Sequence, residues 1–159
     1  MAADHPPLAR ALGRLPSGLF IVTTLGPEGP LGFLGSFVQQ FDLDPPSVAV
    51  GVGSGRDHLE AMRNSGRFAI SVLDEEGKGL MPPFFGKVPE GQTAFDVVPW
   101  SPAPGGTPVL DGALAWIEAE VTGEHALDQH VVVFGRATAG EQRREGDPLI
   151  HLRKNGFSY

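Results

Sequence analysis

Runs of β-branched and aromatic residues predict strands through the first half of the chain. Residues 19–24 form one such run, and a glycine- and proline-rich turn at 26–30 predicts that residues 31–40 return beside it as the second strand of a hairpin. Residues 47–52 predict a third strand. Residues 68–73 are almost entirely apolar, which indicates a fourth strand buried on both faces.

The second half continues the strand pattern. Residues 112–121 alternate between small or apolar and larger or charged side chains, which predicts a half-exposed antiparallel strand with Glu118 and Glu120 on its solvated face. Further strands are predicted at 130–137 and 148–154. About six or seven short strands joined mainly by turns indicate a mainly β fold with short helices, built as a small barrel.

Two short helices are predicted between these strands. Leucines at helical spacing in residues 8–15, preceded by two prolines, indicate the first. Residues 57–65 indicate the second, ended by Gly66. Asp57 is predicted as its N-cap residue, with Glu60 completing a capping box.

Residues 74–111 have no clear periodicity. They are rich in proline and glycine but also carry four large aromatic side chains, and disordered segments contain few aromatics. We therefore predict a long, ordered excursion. Such a segment can contribute to a functional site or pack as an arm on a neighbouring subunit, and the two roles can coexist.

Length and charge narrow the class of protein. The 159 residues, 41% of them hydrophobic, suffice for one core, and no linker-like stretch divides residues 1–159, so a single domain is expected. The net charge of −7 argues against a nucleic-acid partner. The arginines near the C-terminus are interpreted as solvated surface residues: Arg136, Arg143, Arg144 and Arg153.

Residue types that are absent exclude some kinds of chemistry. There is no cysteine, which excludes disulfides and thiolate sites, and there is no apolar run long enough to cross a membrane. A cytoplasmic protein without membrane or metal partners is expected. The five histidines lack metal-ligand spacing, and no serine sits in a nucleophile-elbow motif.

A glycine-rich segment follows the third strand. Glycines at 51, 53 and 55 are expected to turn the backbone with positive φ and expose N–H groups, and Arg56 adds charge-assisted donors for an anion. Its spacing resembles a dinucleotide fingerprint, but Arg56 replaces the third glycine and no βαβ series follows. A phosphate cradle and a plain surface turn both remain open at this point.

Five segments together resemble the flavin reductase-like family: residues 15–24, residues 32–46 ending in Asp-Pro-Pro, residues 68–73, the Gln129-His130 pair and the Pro148-Leu149 pair. The resemblance covers nearly the whole chain. It implies an FMN-binding split barrel, a homodimer with the flavin site near the subunit interface, and reduction of FMN, or possible use of FAD, by NAD(P)H. A redox partner or a monooxygenase would receive the electrons.

The resemblance also implies roles for particular residues. The isoalloxazine ring and ribityl chain would be lined by Leu34, Gly35, Ser36, Phe37, Gln39 and Gln40. The phosphate would be held by Ser54, Arg56 and His58. His130 would lie at the reactive face of the ring, although a surface histidine at a strand end is an equal alternative, and Phe84 or Phe85 and Tyr159 would cover the flavin or the nicotinamide.

Two other functions stay open on the sequence alone. One is a flavoredoxin-like electron carrier that binds FMN without its own NAD(P)H activity. The other is a β-barrel interaction module with no flavin affinity. Because adjacent strand residues point to opposite faces, only one of Gln39 and Gln40 is expected to touch a flavin directly.

Overall fold

An antiparallel sheet of seven strands organises the protein, which a computed structural model describes over residues 5–158. The elements in chain order are α1 (Pro7–Leu12), β1 (Phe20–Gly26), β2 (Gly29–Gly35), β3 (Val38–Leu43), β4 (Pro46–Gly53), α2 (Asp57–Ser65), β5 (Arg67–Val72), α3 (Ala94–Val97), β6 (Trp100–Pro102), β7 (Pro108–Leu110), β8 (Ala115–Ala126) and β9 (His130–Gln142). The large sheet has the order β2-β1-β5-β8-β9-β4-β3, and β6 pairs with β7. The prediction of a mainly β protein is confirmed.

The sheet curls into a barrel that is split between its two edge strands. β2 and β3 are consecutive in sequence but lie at opposite edges of the sheet. Phe33 of β2 belongs to the same buried cluster against which Val38 of β3 packs. The prediction of one continuous strand over 31–40 is therefore wrong, because the chain leaves one edge at Ser36 and joins the other at Val38.

Buried residues of six strands fill the barrel. Val48, Val50 and Val52 of β4 point to the same face and pack with Phe68 of β5. A Cβ atom on Gly135 of β9 would lie 2.6 Å from the Phe68 ring, so only glycine leaves room for this ring. Large-to-small changes in this cluster would cost about 2–5 kcal/mol.

The second helix ends as predicted but begins differently. Gly66 adopts a left-handed conformation (φ +70°) and closes α2. The predicted capping box is wrong, because Asp57 is already the first helical residue and Arg56, which has no side-chain capping bond, precedes it. Asp57 and Glu60 still lie in the first turn, where their charges favour the helix dipole. α1 is also shorter than the predicted helix over 8–15.

The excursion over residues 74–111 is ordered, as predicted, and contains more regular structure than its sequence indicates. Two 3₁₀ turns, the short α3 and the β6–β7 pair follow one another. Phe84, Phe95 and Trp100 pack against a second buried cluster that includes Ile21 of β1. The excursion thus covers one side of β1.

Glu118 is 1% exposed, so the prediction that it faces solvent is wrong. Its carboxylate accepts hydrogen bonds from the backbone N–H groups of Gly105 (2.7 Å) and Thr107 (3.0 Å). The Nη1 atom of Arg67 lies 4.0 Å from Glu118 Oε1. Side chains do alternate between the two faces of β8, but the outer face at Glu118 is covered by the β6–β7 turn.

The C-terminal residues form bridges instead of the predicted strand over 148–154. Pro148 and His151 each make one isolated bridge, to Asp74 and Ser17 respectively. Arg144 is not a solvated surface residue either, because it makes a bidentate ion pair with the buried Asp74 (2.6 and 2.9 Å). No helix over the described residues combines the length and apolarity that a membrane span requires.

Candidate functional site

A cleft of ≈ 1020 Å³ opens beside the split in the barrel. Pockets for small molecules and cofactors typically measure about 300–1,000 Å³, so this cleft is large enough for a cofactor. Residues from both ends of the chain line it, namely Leu15–Gly18, Phe20, Pro148–Ile150 and Arg153. The β2–β3 link and β3 contribute Ser36–Phe41. The other strands and the turn before β9 contribute Pro46, Val48, Ala49, Gly51, Ile70, Val72, Ile117, Leu127, His130, Val132 and Ala137.

Gly51 lets the β2–β3 link approach β4 closely. Its backbone N–H donates to the carbonyl of Phe37 (2.8 Å), and a Cβ atom at Gly51 would lie 2.9 Å from the Phe37 Cβ. The predicted positive φ is wrong for Gly51 and Gly53, which belong to β4, and correct for Gly55 (φ +77°). Glycine is therefore needed at position 51 because a side chain there would collide with Phe37.

Ser36 lines the cleft and carries a hydroxyl group without a hydrogen-bond partner. The residue is 6% exposed, and its Oγ atom is buried with no hydrogen-bond partner. Buried polar groups in native proteins are almost always hydrogen-bonded, so an orphaned hydroxyl at a cleft indicates a missing polar partner. A flavin, whose pyrimidine edge and ribityl chain carry donors and acceptors, fits this requirement.

Gln39 and Gln40 both line the cleft, and each uses its amide NH₂ group on the backbone. Gln39 donates to the carbonyl of Gln40 (3.3 Å), and Gln40 donates to the carbonyl of Asp42 (3.0 Å). β3 pairs regularly with β4 at Gln39 and Gln40, and its register shifts only between Gln40 and Asp42. Each side-chain carbonyl oxygen can accept a hydrogen bond from a ligand, and the second N–H of each amide can donate one.

His130, Phe37 and Arg153 form a connected group at one end of the cleft. The rings of Phe37 and His130 meet edge-on with centroids 5.4 Å apart. The Arg153 guanidinium carbon lies 5.2 Å from the centroid of the Phe37 ring. His130 is the first residue of β9, and the strand register pairs it with Gly53 at the end of β4.

Residues 53–56 of the glycine-rich segment lie next to this end of the cleft but outside its lining. The backbone N–H of Ser54 donates to Gln129 (2.9 Å), the residue before His130. The Arg56 side chain folds over Gly53, with Nε 3.0 Å from where a Cβ atom would be. Ser54 and Arg56 are both exposed and therefore accessible to an anion.

His58 is anchored to β2. Its Nε2 atom lies 3.0 Å from the carbonyl oxygen of Gly32, and because a carbonyl only accepts, Nε2 carries the proton. The Nδ1 atom is buried without a hydrogen-bond partner, and the ring meets Phe33 edge-on at 5.1 Å. Burial lowers the pKa of His58, and Arg56 lowers it further, while the bond to Gly32 opposes the shift. The His58 ring is therefore neutral at any pH above the ordinary value of 6.5.

The remaining predicted site residues lie elsewhere. Leu34 packs against the second buried cluster, and Gly35 lies over Phe33 and Val22 beside Ser36. Phe85 is 59% exposed and outside the cleft lining. Tyr159 lies outside the described residues.

Sequence reasoning missed two groups of cleft residues. Residues 15–18 and 148–153 come from opposite ends of the chain and are joined by the bridge between Ser17 and His151. A pairing of single residues leaves no periodic signal, and Arg153 resembles any surface arginine. Over residues 5–158 no group of three or more His, Asp or Glu side chains could hold a metal ion.

Comparisons with known proteins find relatives over almost the whole chain. Residues 12–158 match the family model described as the flavin reductase like domain. Diflavin flavoprotein A 1 of Synechocystis sp. is 33% identical over 96% of the chain, which spans 27% of that larger protein. The reductase subunit HsaB of a flavin-dependent monooxygenase, from Rhodococcus jostii, is 30% identical over 96% of this chain and 76% of its own length.

A solved structure extends the similarity to three dimensions. Nitrilotriacetate monooxygenase component B from Mycobacterium thermoresistibile superimposes with a TM-score of 0.80. It is 30% identical, and the match covers 91% of this chain and 80% of that one.

Proposed function

Because the chain belongs to the flavin reductase-like family, we propose that it is a flavin-binding oxidoreductase that transfers hydride from NAD(P)H to FMN, with FAD as the alternative flavin. Residues 1–159 form its single flavin reductase-like domain in this proposal. The observation that carries it is the unsatisfied buried hydroxyl of Ser36 in the wall of a cofactor-sized cleft. A bound flavin would accept the hydride and pass on its electrons.

In this proposal the β2–β3 link and β3 hold the flavin ring and ribityl chain. Ser36 Oγ donates or accepts one hydrogen bond, and the carbonyl oxygens of Gln39 and Gln40 accept from ligand N–H or O–H groups. Phe37 provides an apolar surface. Leu34 and Gly35 contribute through the backbone that positions Ser36, because the Leu34 side chain packs against the second cluster.

The phosphate is assigned to the segment after β4. Arg56 and the Ser54 hydroxyl supply its donors, and both side chains are exposed. His58 is assigned a positioning role, because its Nε2–H is committed to Gly32 and its neutral ring brings no charge to a phosphate. It fixes the first turn of α2 against β2.

His130 is assigned the position beside the reacting rings. Its contact with Phe37 holds one edge of the imidazole, leaving the ring able to orient the nicotinamide or to hold a proton. Phe85 and Tyr159 are retained as candidate covering residues. The cytoplasmic location expected from the sequence remains a prediction.

A homodimer with the flavin near the subunit interface is part of the proposal. Large exposed apolar side chains beside the cleft support it, including Leu15 (62% exposed), Phe41 (67%) and Ile150 (75%). A monooxygenase or another redox partner would consume the reduced flavin. Similarity to a monooxygenase reductase subunit supports that partner class.

Flavin-dependent oxidation of NAD(P)H tests the proposed function. The purified protein is mixed with NADH or NADPH, and the oxidation rate is followed as FMN, FAD or riboflavin is added. A rate that saturates with flavin and greatly exceeds the protein-free rate is expected. Flavin that stays bound through gel filtration but supports no oxidation would instead identify an electron carrier, and absence of flavin binding would contradict both functions.

A further inference from the structure

Arg144 joins three segments that are distant from one another in sequence. Its guanidinium group donates two hydrogen bonds to the carboxylate of Asp74, from Nη2 to Oδ1 (2.6 Å) and from Nε to Oδ2 (2.9 Å). It also donates to the backbone carbonyls of Gly112 (3.0 Å) and Ala113 (3.4 Å). Asp74 follows β5, the two carbonyls precede β8, and Arg144 follows β9. One side chain thus fixes both ends of the excursion over residues 74–111 to the chain beyond β9.

The bonds to Asp74 hold a buried charge. Asp74 is 6% exposed, and its Oδ1 atom also accepts the backbone N–H of Gly77 (2.9 Å). The hydrogen bonds from Arg144 lower the pKa of Asp74, so the carboxylate is ionised at neutral pH. An unpaired charge in the protein interior is strongly destabilising. The Asp74–Arg144 pair is therefore expected to stay closed in the folded protein.

The chain that follows Arg144 forms one wall of the cleft. Pro148 makes an isolated bridge with Asp74 itself. The N–H of Leu149 donates to the carbonyl of Leu73 (2.9 Å), and the Leu149 side chain packs against the second buried cluster. Three consecutive residues of this segment line the cleft: Pro148, Leu149 and Ile150. The wall is thus attached to the same residue that Arg144 holds.

The side chains of this wall determine which part of a ligand it can contact. All three residues of Pro148–Ile150 are apolar, so the wall suits the apolar part of a ligand and offers nothing to a phosphate. Displacement of the wall would change the shape of the cleft and leave Ser54 and Arg56, which are assigned to the phosphate, in place. An effect of this wall should therefore be the same for ligands with and without a phosphate.

We propose that Asp74 and Arg144 form a positioning pair, which fixes the Pro148–Ile150 wall of the cleft and so sets the affinity of the protein for the ring portion of the flavin. This inference rests on the proposed function and adds to it two residues that do not line the cleft. The contacts lead from Arg144 to Asp74, and from Asp74 to Pro148 through the isolated bridge.

Amide hydrogen exchange in the flavin-free protein tests the attachment of the wall. We expect Arg144→Gln to speed exchange of the Leu149 N–H about tenfold, because the wall opens locally more often. Arg144→Lys, which keeps the charge but loses the planar fork, should show a smaller increase. The double variant Asp74→Asn with Arg144→Gln leaves no unpaired buried charge, so it stays folded if the single variant does not, and it should exchange as fast as Arg144→Gln.

The neighbouring arginine provides a matched control for this measurement. Arg143 also follows β9 and also holds a backbone carbonyl, that of Leu110 (2.8 Å). Its partners lie at the end of the excursion and do not lead to the cleft wall. Arg143→Gln should therefore leave exchange of the Leu149 N–H within about twofold of the wild-type rate.

Flavin titration tests the effect of the pair on binding. Arg144→Gln should weaken FMN and riboflavin by the same factor, about fivefold, because both share the ring portion that the wall would contact. Arg144→Lys should recover part of this affinity. Glu118→Gln loses charged hydrogen bonds at a buried site outside the cleft lining, so it controls for a general loss of stability and should change neither affinity. All titrations are made at a temperature at which every variant is fully folded.

Four results would overturn the inference. Exchange at Leu149 that stays at the wild-type rate in Arg144→Gln and in the double variant would detach the wall from the pair. Faster exchange with unchanged flavin affinities, or equal losses of affinity in Glu118→Gln, would show that the pair serves only the fold. A loss for FMN alone would move the effect to the phosphate. In these cases wild-type reductase activity would leave the proposed function intact, whereas wild-type protein that binds no flavin would overturn the proposed function and the inference together.

Discussion

The imidazole ring of His130 meets the phenyl ring of Phe37 edge-on, with centroids 5.4 Å apart. This contact joins the start of β9 to the link between β2 and β3, the two edge strands of the split barrel. The residue proposed to act on the nicotinamide is therefore held by the segment proposed to bind the flavin.

Replacement of His130 should separate catalysis from binding. We expect His130→Ala to slow flavin reduction about 10²-fold, the scale of a positioned proton-transfer or orienting group, and to weaken flavin binding only about twofold. Rapid-mixing kinetics and flavin titration measure the two effects. His125→Ala, a change at an exposed position of β8, is the control and should alter neither. Equal losses of rate and affinity would argue against the catalytic role.

Substitution by alanine should destabilise the protein at Ser71 but not at Ser36. Ser71 is fully buried, and its hydroxyl accepts a hydrogen bond from the Leu110 N–H (3.0 Å). Ser71→Ala should therefore lower the free energy of unfolding by about 1–3 kcal/mol. Ser36→Ala removes a hydroxyl without a partner, so the stability of the flavin-free protein should stay unchanged or rise.

Flavin affinity supplies the second half of this comparison. Ser36→Ala should weaken FMN binding about five- to tenfold, through loss of one hydrogen bond. Chemical denaturation and fluorescence titration measure the two quantities. A Ser36→Ala protein that is destabilised like Ser71→Ala and binds FMN normally would show that the hydroxyl serves the fold.

Arg56 should discriminate FMN from riboflavin. Loss of a charge-assisted bond predicts that Arg56→Ala weakens FMN roughly 10- to 100-fold and leaves riboflavin almost unchanged. Arg63→Ala, in the helix that follows Arg56, is the control, because Arg63 is already paired with Glu124 (2.6 Å). An equal effect of Arg56→Ala on both flavins would remove Arg56 from the phosphate site.

Two glutamates on β8 should differ in their contribution to stability. Glu118 is buried and accepts two backbone N–H groups, so Glu118→Gln should lower the free energy of unfolding by about 2–3 kcal/mol. Glu120 is partly exposed and pairs with Arg67 and Arg136, so Glu120→Gln should cost less than about 1 kcal/mol. Urea denaturation of both variants makes the comparison, and similar costs would contradict it.

The neutral His58 predicts a pH dependence of stability. Burial lowers its pKa in the folded protein below the ordinary value of 6.5, so below that pH the unfolded chain binds a proton that the folded protein resists. Stability should therefore fall as the pH drops from 6.5 towards the lower folded-state pKa. Denaturation at a series of pH values should give a flatter profile for His58→Asn than for wild type. Identical profiles would show that His58 does not carry the effect.

Local pattern was sufficient to predict β1, β4, β5, β8 and β9 and the end of α2. β5 is an apolar run with a buried interior, and Gly66 supplies the left-handed residue that a helix end requires. The edge exchange at Ser36 could not be predicted, because strand period indicates faces and gives no information about neighbours in a sheet. Glu118 was misread for a related reason, since only the tertiary fold brings the β6–β7 turn over it.

Part of the candidate site could likewise be predicted from the sequence, and part could not. The segment containing Ser36, Phe37 and the two glutamines was identified through its motif, and the structure places these residues in one cleft with His130. Arg153 and the residues at 15–18 reach the cleft through one isolated bridge, and a contact so distant in sequence has no local signature. Gly51 does not have the expected positive φ, because it lies inside β4. A glycine is needed there because Phe37 approaches too closely for a side chain.

Anaerobic reduction of a protein-bound flavin tests the central claim most directly. The purified protein is loaded with FMN, and its visible absorbance is followed after addition of NADH and, separately, of NADPH. We predict that the flavin absorbance bleaches within the turnover time with at least one of the two donors. A bound flavin that remains oxidised with both donors would contradict the assignment of a reductase.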